Sequence, residues 1–276
     1  MGATLAAMGT GAWEAAEEAA RAAGVTFRPL TRLEDADRIL GVMIATWGEH
    51  QLIPREMLRA LGDSANPPMG AFMGEGLVGY VLGWIAADEH DGLVVHSHML
   101  ATLPELRHRG IGYALKLAQR AQALDVGIGV VRWTFDPLIA RNAWFNLRKL
   151  GVVADRFHRD FYGSMSDLMN RGERSDRFVV RWDLEHPSTA ERAPVTGAPI
   201  LVAEGPPDRP EPRRVAREDE RGPLLVQIPR DHQTLRVEAP ELARAWREAT
   251  AEAIEAAMAT GRVARDFTEG SSYVFA

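Results

Sequence analysis

Apolar residues recur along this chain in two periods, and the switches between them mark its elements. Residues 13–23 form an acidic, alanine-rich helical pattern that stops at Gly24. Residues 25–30 read as a first strand. Thr31-Arg32-Leu33-Glu34 has capping-box form, and Leu33, Ile39, Leu40, Met43 and Ile44 give the helix behind it an apolar stripe. Pro54, at a favoured first position, opens a short helix to Leu61. Residues 70–73 and 77–87 read as strands joined through Gly74-Glu75-Gly76 in a hairpin. A strand (93–103), a helix (110–124), a strand (129–135) and a helix (141–150, stopped by Gly151) follow. Strands at 152–154 and 177–184 complete this run.

After His186 the composition shifts. Eight of the sixteen prolines lie between Pro187 and Pro223, and residues 208–221 are almost wholly polar. That composition predicts a surface linker or extended arm. A strand (224–228), a helix (241–260) with Leu242, Trp246, Ala249, Ala253 and Ala257 on one side, and strands at 263–267 and 273–275 follow. The expected organisation is an N-terminal helix (1–24), a main α/β domain (25–185), a proline-rich linker (186–222) and a small αβ extension (223–276). So small an extension is expected to pack on the main domain or on a second copy of the chain, the latter giving a homodimer.

At 276 residues the chain can bury a substantial core, and 46% hydrophobic with 25% charged residues is ordinary globular composition. A net charge of -6 argues against nucleic-acid and anionic-membrane partners. With no cysteine, disulfides, thiolate metal sites and cysteine nucleophiles are excluded. The longest apolar run, 77–87, is too short to span a bilayer. No signal peptide is read, so the expected compartment is the cytoplasm.

Chemistry concentrates where strand 93–103 turns into helix 110–124. The junction Arg107-His108-Arg109-Gly110-Ile111-Gly112 is R-x-x-G-x-G. Its glycines let successive backbone N–H groups approach a ligand, and the helix start adds unpaired donors and the positive end of a dipole. With two arginines and a histidine added, the corner suits a pyrophosphate. A strand-to-helix turn holding no ligand has the same local form. Immediately upstream lies His96-Ser97-His98. Strict alternation puts His96, His98, Leu100 and Thr102 on one face and Ser97, Met99 and Ala101 on the other. A neutral imidazole, with a pKa of about 6.5, suits removal of a proton from an amine. Two hydrogen-bonded histidines inside a sheet would carry the same sequence. A metal reading is poorer, because no third ligand stands at suitable spacing, and no metal is expected.

The segment resembles the acyl-CoA site of the GNAT acyltransferase superfamily, whose pattern is a strand, Gln or Arg-x-x-Gly-x-Gly or Ala, then a helix. The resemblance implies a GNAT-type mixed, splayed β-sheet flanked by helices. It assigns acyl-CoA binding to Arg107, His108, Arg109, Gly110, Ile111, Gly112 and Tyr113, with Leu100, Ala101 and Thr102 along the pantetheine. It makes His98 and His96 candidate catalytic bases, since arylalkylamine acyltransferases of the superfamily carry two such histidines at this distance from the turn. The second GNAT segment, A-x-x-x-Tyr-x-Lys-x-Gly, matches at Ala143, Lys149 and Gly151 but has Leu147 where a tyrosine often protonates the leaving thiolate. Tyr162 and His158 lie just downstream, and Tyr162 is the candidate replacement. Asp136, Arg141, Asn142 and Arg177 are candidates for acceptor binding; Asp136 equally reads as a helix cap and Arg177 as a surface ion pair. Wider similarity, in His-Ser-His-Met-Leu, Trp-Thr-Phe-Asp-Pro-Leu and the Ile228-Pro229…Trp246-Arg247 tail, points to a bacterial subfamily of predicted acetyltransferases, some linked to amino-acid N-succinylation. The implied function is transfer of an acetyl or succinyl group from acyl-CoA to a small amine in a ternary complex. The alternative is a GNAT-fold protein that binds CoA without turnover.

Overall fold

A computed structural model describes residues 2–49, 52–165, 172–186, 196–216 and 222–276. The described residues form a mixed α/β protein of two compact units. Among the described residues, unit 1 comprises 2–49, 52–133 and 183–186, and unit 2 comprises 134–165, 172–182, 196–216 and 222–276. The units do not follow the composition change near His186: residues 134–165 and 172–182 group with the C-terminal segment.

In unit 1, strands β1 (Thr26–Pro29), β2 (Met69–Met73), β3 (Gly76–Asp88) and β4 (Gly92–Thr102) pair antiparallel in sequence order. The first residues of β5 (Val130–Phe135) pair parallel with β4. Helices α1 (Gly2–Ala23) and α4 (Ile111–Asp125) bury Ala16, Ala20, Val81, Ile111, Leu115 and Ala118 against one sheet face. Helices α2 (Leu33–Trp47) and α3 (Arg55–Gly62) bury Ile39, Met43, Leu58, Tyr80 and Leu82 on the other. Tyr80, Val81 and Leu82 go to alternate clusters, as period-two side chains must. The expected cap of α2 shifts by one residue: the Arg32 N–H donates to Asp35 Oδ2 at 3.1 Å. Asp35 displaces Glu34 from that role because Arg28 holds its buried carboxylate at 2.6 and 2.9 Å.

In unit 2, the strand order is β7 (Arg177–Asp183), β6 (Val153–His158), β11 (Ala264–Phe267), β12 (Ser272–Phe275), β10 (Leu224–Gln227), β8 (Ala198–Glu204) and β9 (Glu211–Arg214). Helix α5 (Ala140–Ala143) runs into a π-helical stretch, Trp144–Lys149, and α6 (His232–Glu238) and α7 (Pro240–Met258) follow β10. Phe178, Tyr273 and Phe275 are fully buried and meet ring to ring, with Phe135 and Phe267 beside them. The segment expected as a linker, 186–222, holds β8 and β9. β8 pairs parallel with β10 and antiparallel with β9, and the Gln227 carboxamide accepts the Ala203 N–H at 2.8 Å. Proline content masked this, although Ile200, Leu201 and Val202 form a short strand-like run. Residues 187–195 and 217–221 of that segment lie outside the described residues. No described helix is long and apolar enough to cross a membrane.

Candidate active site in unit 1

The glycine turn has the backbone its sequence requires. Gly110 takes φ +85° as the residue before α4, and His108 also sits in the left-handed region at +65°. Glycine adopts this conformation without a Cβ penalty, and histidine is among the residues that tolerate it. The first bond of the α4 ladder runs from the Ala114 N–H to the Gly110 carbonyl at 3.0 Å. The amides before Ala114 therefore stand ahead of the ladder, where the dipole is positive. His108, Arg109 and Gly110 are exposed and Arg107 is half-buried. A short 3-10 turn, Pro104–Leu106, carries the chain from β4 to this corner. The residues present fit a pyrophosphate: exposed cations, glycine backbone and a helix N-terminus meet at one turn.

Along β4 the register breaks once. Leu82 faces Met99 but Gly83 faces Ser97, so His98 is an extra residue in a β-bulge. A Cβ on Gly83 would lie 2.3 Å from the His96 carbonyl oxygen, so only glycine permits β3 to pass the bulge this closely. The bulge also corrects the expected faces. Ser97 bonds Lys116 of α4, and Leu100 packs with the α1 and α4 cluster, whereas Met99 and Ala101 pack with α2 and α3. His96 and His98 thus do not share a face with Leu100 and Thr102. One inserted residue flips the alternation beyond it. β4 pairs with β5 only at Val95↔Val131 and His96↔Arg132, so its stretch from Ser97 onward has no register partner on β5. Beyond His96 the two parallel strands therefore part.

Both imidazoles gather on Trp84. The Trp84 ring stacks on His96 at 4.9 Å and lies 5.0 Å from His98, with the two imidazoles 6.0 Å apart. His96 is half-buried, whereas His98 is open to solvent on one side. Burial, then the neighbouring His98 and Lys116, lowers the pKa of His96. Partial burial lowers that of His98. Both shifts favour the neutral, proton-accepting imidazole. Among the described residues no group of three or more His, Asp or Glu converges as a metal site.

The remaining candidates belong to unit 2. Asp136 accepts two hydrogen bonds from Arg247, at 2.7 and 2.9 Å, and one from the Leu138 N–H at 2.9 Å. Burial works against the Asp136 carboxylate, but Arg247 and Arg177 outweigh it and hold its pKa below the ordinary value. Arg247 also donates to Glu173 at 2.6 Å, and Glu173 meets His232 at 3.1 Å. Arg177 is buried, donates to the Asp176 carbonyl at 2.8 Å and stands 3.8 Å from Asp136. Arg141 is exposed and Asn142 half-buried. The Tyr162 hydroxyl lies 3.0 Å from Thr134 Oγ1, with its ring largely exposed. Leu147, at the tyrosine position, is fully buried in the π-helical stretch. Sequence reasoning missed Trp84, Lys116 and Arg247. For Lys116 a signal existed, since it is one of only two lysines in a chain with thirty arginines.

No protein-family model and no curated protein matches the chain. Similar solved structures include Naa20 of Chaetomium thermophilum in complex with a bisubstrate analogue. It is 19% identical over 58% of this chain and 86% of its own, with a TM-score of 0.48. The ribosomal-protein-S18-alanine N-acetyltransferase of Escherichia coli is 12% identical over 62% and 99%, TM-score 0.47. The diaminobutyrate acetyltransferase EctA of Paenibacillus lautus, in complex with L-2,4-diaminobutyric acid and coenzyme A, is 15% identical over 58% and 95%, TM-score 0.44. At such identities and scores, activity and substrate rest on the residues of this chain.

Proposed function

We propose that this chain is an acyl-CoA-dependent N-acyltransferase of GNAT type. The observation that carries the reading is the sequence of devices along one strand and turn: a bulged β4, an edge without a β5 partner, and a basic glycine corner opening α4. The turn from Arg107 to Tyr113 would hold the CoA pyrophosphate through backbone amides and cations. The unpaired edge at Leu100, Ala101 and Thr102 would bond the amide-bearing pantetheine arm as a strand would.

His98 then accepts a proton from the acceptor amine, directly or through water, with His96 behind it. The deprotonated amine attacks the thioester carbonyl; the C–N bond forms, the C–S bond breaks, and the thiolate takes a proton. Tyr162 is the proposed donor of that proton, since Leu147 has none to give. Transfer is direct in a ternary complex, as no cysteine exists to carry the acyl group. The donor is acetyl-CoA or succinyl-CoA and the acceptor a small amine, such as an amino acid. Arg141, exposed, and Asn142 are proposed at the acceptor end, with half-buried Asp136 and buried Arg177 as its support.

The buried Leu147 favours a second reading, a protein that binds CoA without turnover. Calorimetry with CoA, followed by thiol release from acetyl- and succinyl-CoA over an amine panel, separates the two. Release with at least one amine is expected. CoA binding without release from either donor supports the second reading, and no CoA binding ends both.

A further inference from the structure

Lys116 stands on α4, five residues beyond Ile111, and is almost completely buried. Its amine donates to Gln119 Oε1 at 2.7 Å and to Ser97 Oγ at 3.2 Å, and lies 3.6 Å from the centre of the Trp133 ring. Ser97 is itself buried and sits between the two histidines, next to the bulged residue. A cation in such a place costs free energy unless it is paired or can lose its proton. Arginine cannot shed its charge and lysine can, which suits a lysine to this position in a chain otherwise rich in arginine.

We propose that Lys116 is a positioning residue for the histidine pair. Its amine holds the Ser97 hydroxyl on the α4 face of the sheet, fixing the bulge that sets His96 and His98 around Trp84. The proposal rests on the acyltransferase reading, in which that pair serves the amine. Lys116 touches neither donor nor acceptor in this scheme; it acts through Ser97. Burial pushes the Lys116 amine well below the ordinary lysine range, so the contact to Ser97, rather than a fixed charge, is what the position supplies.

The full-length protein is compared with Lys116→Met, which keeps bulk and removes the amine, and Lys116→Gln, which keeps a hydrogen-bond donor without charge. Thermal melting, CoA calorimetry, steady-state rates with acyl-CoA, and NMR spectra of the imidazoles are measured. Lys116→Met is expected to lower kcat about threefold to tenfold, the scale of one lost hydrogen bond, with CoA affinity unchanged. The His96 and His98 resonances should move in Lys116→Met and move in the same sense in Ser97→Ala, which should reproduce the kcat loss. Lys116→Gln should recover part of kcat and bring the resonances back toward wild type. Wild-type rates and unmoved imidazole resonances in Lys116→Met would overturn the proposal. If Lys116→Met does not fold, Lys116→Gln and Ser97→Ala decide by the same readouts. If the wild-type protein turns over no acyl-CoA, the acyltransferase reading fails separately, and the imidazole resonances still judge Lys116.

Discussion

The glycine corner of unit 1 and the Asp136 cluster of unit 2 handle charge in opposite ways. At the corner, cations are exposed and helix amides stand ahead of their ladder. Around Asp136, two half-buried carboxylates are engaged with two buried arginines and a buried histidine. A site that must capture an anion reversibly keeps its donors in reach of solvent. Buried charges instead survive only by mutual pairing, and breaking one pair strands another. An ammonium group could bind Asp136 only by displacing Arg247. The two regions thus teach that a charged residue in a promising stretch of sequence indicates chemistry only when its partners leave it available.

The largest expected effect tests the closed region. Arg247→Ala leaves Asp136 and Glu173, both largely enclosed, without their shared cation, so stability should fall by about 3–5 kcal/mol in urea melts. CoA affinity of the folded fraction should persist. Lost CoA affinity at unchanged stability would erase the contrast.

Gly110→Glu tests the open region. It places a Cβ at φ +85° and a carboxylate where phosphate is expected. CoA affinity should drop about a hundredfold or more, at least ~2.7 kcal/mol by calorimetry, while the melting curve stays cooperative. An unchanged affinity would end the acyl-CoA reading.

Third, His98→Ala should lower kcat about 10²-fold at neutral pH, the low end for a general base, and His96→Ala less. The loss should shrink at high pH, where the amine deprotonates by itself. Burial lowers both imidazole pKa values, so the wild-type rate should hold at neutral pH and fall only below about pH 6.5. A loss equal at every pH would indicate a structural role.

Acid should separate the regions too. Asp136 has a depressed pKa in the folded protein, so its contribution to stability is present above about pH 4. That contribution is lost as pH falls through the lower folded value. Asp136→Asn should flatten this part of the acid-unfolding curve, and a curve identical to wild type would remove Asp136 from the account. The smallest effect concerns the donor: if succinyl-CoA is used, Arg141→Ala should lower the succinyl-to-acetyl rate ratio by about tenfold. An unchanged ratio leaves acetyl-CoA as the donor or moves the carboxylate contact away from Arg141.

Periodicity and punctuation alone located the hairpin, the strand before the glycine turn, α4 and α7, because those signals are local: alternation, a proline start, a glycine stop. The backbone of the glycine corner was equally legible, since φ at Gly110 and the start of α4 follow from residues adjacent in the chain. Three-dimensional packing decided the rest. A bulge is a relation between two strands, and nothing in His96-Ser97-His98 reveals that Gly83 lies against it and flips the faces beyond. Proline content hid β8, whose strand character comes from pairing with β10. Asp136 looked available until Arg247, 111 residues later, came to lie 2.7 Å away. Lys116 is a charged residue by sequence, yet α4 buries it almost completely. Local conformation follows from neighbours in sequence, whereas availability for chemistry depends on partners that only the folded chain brings together.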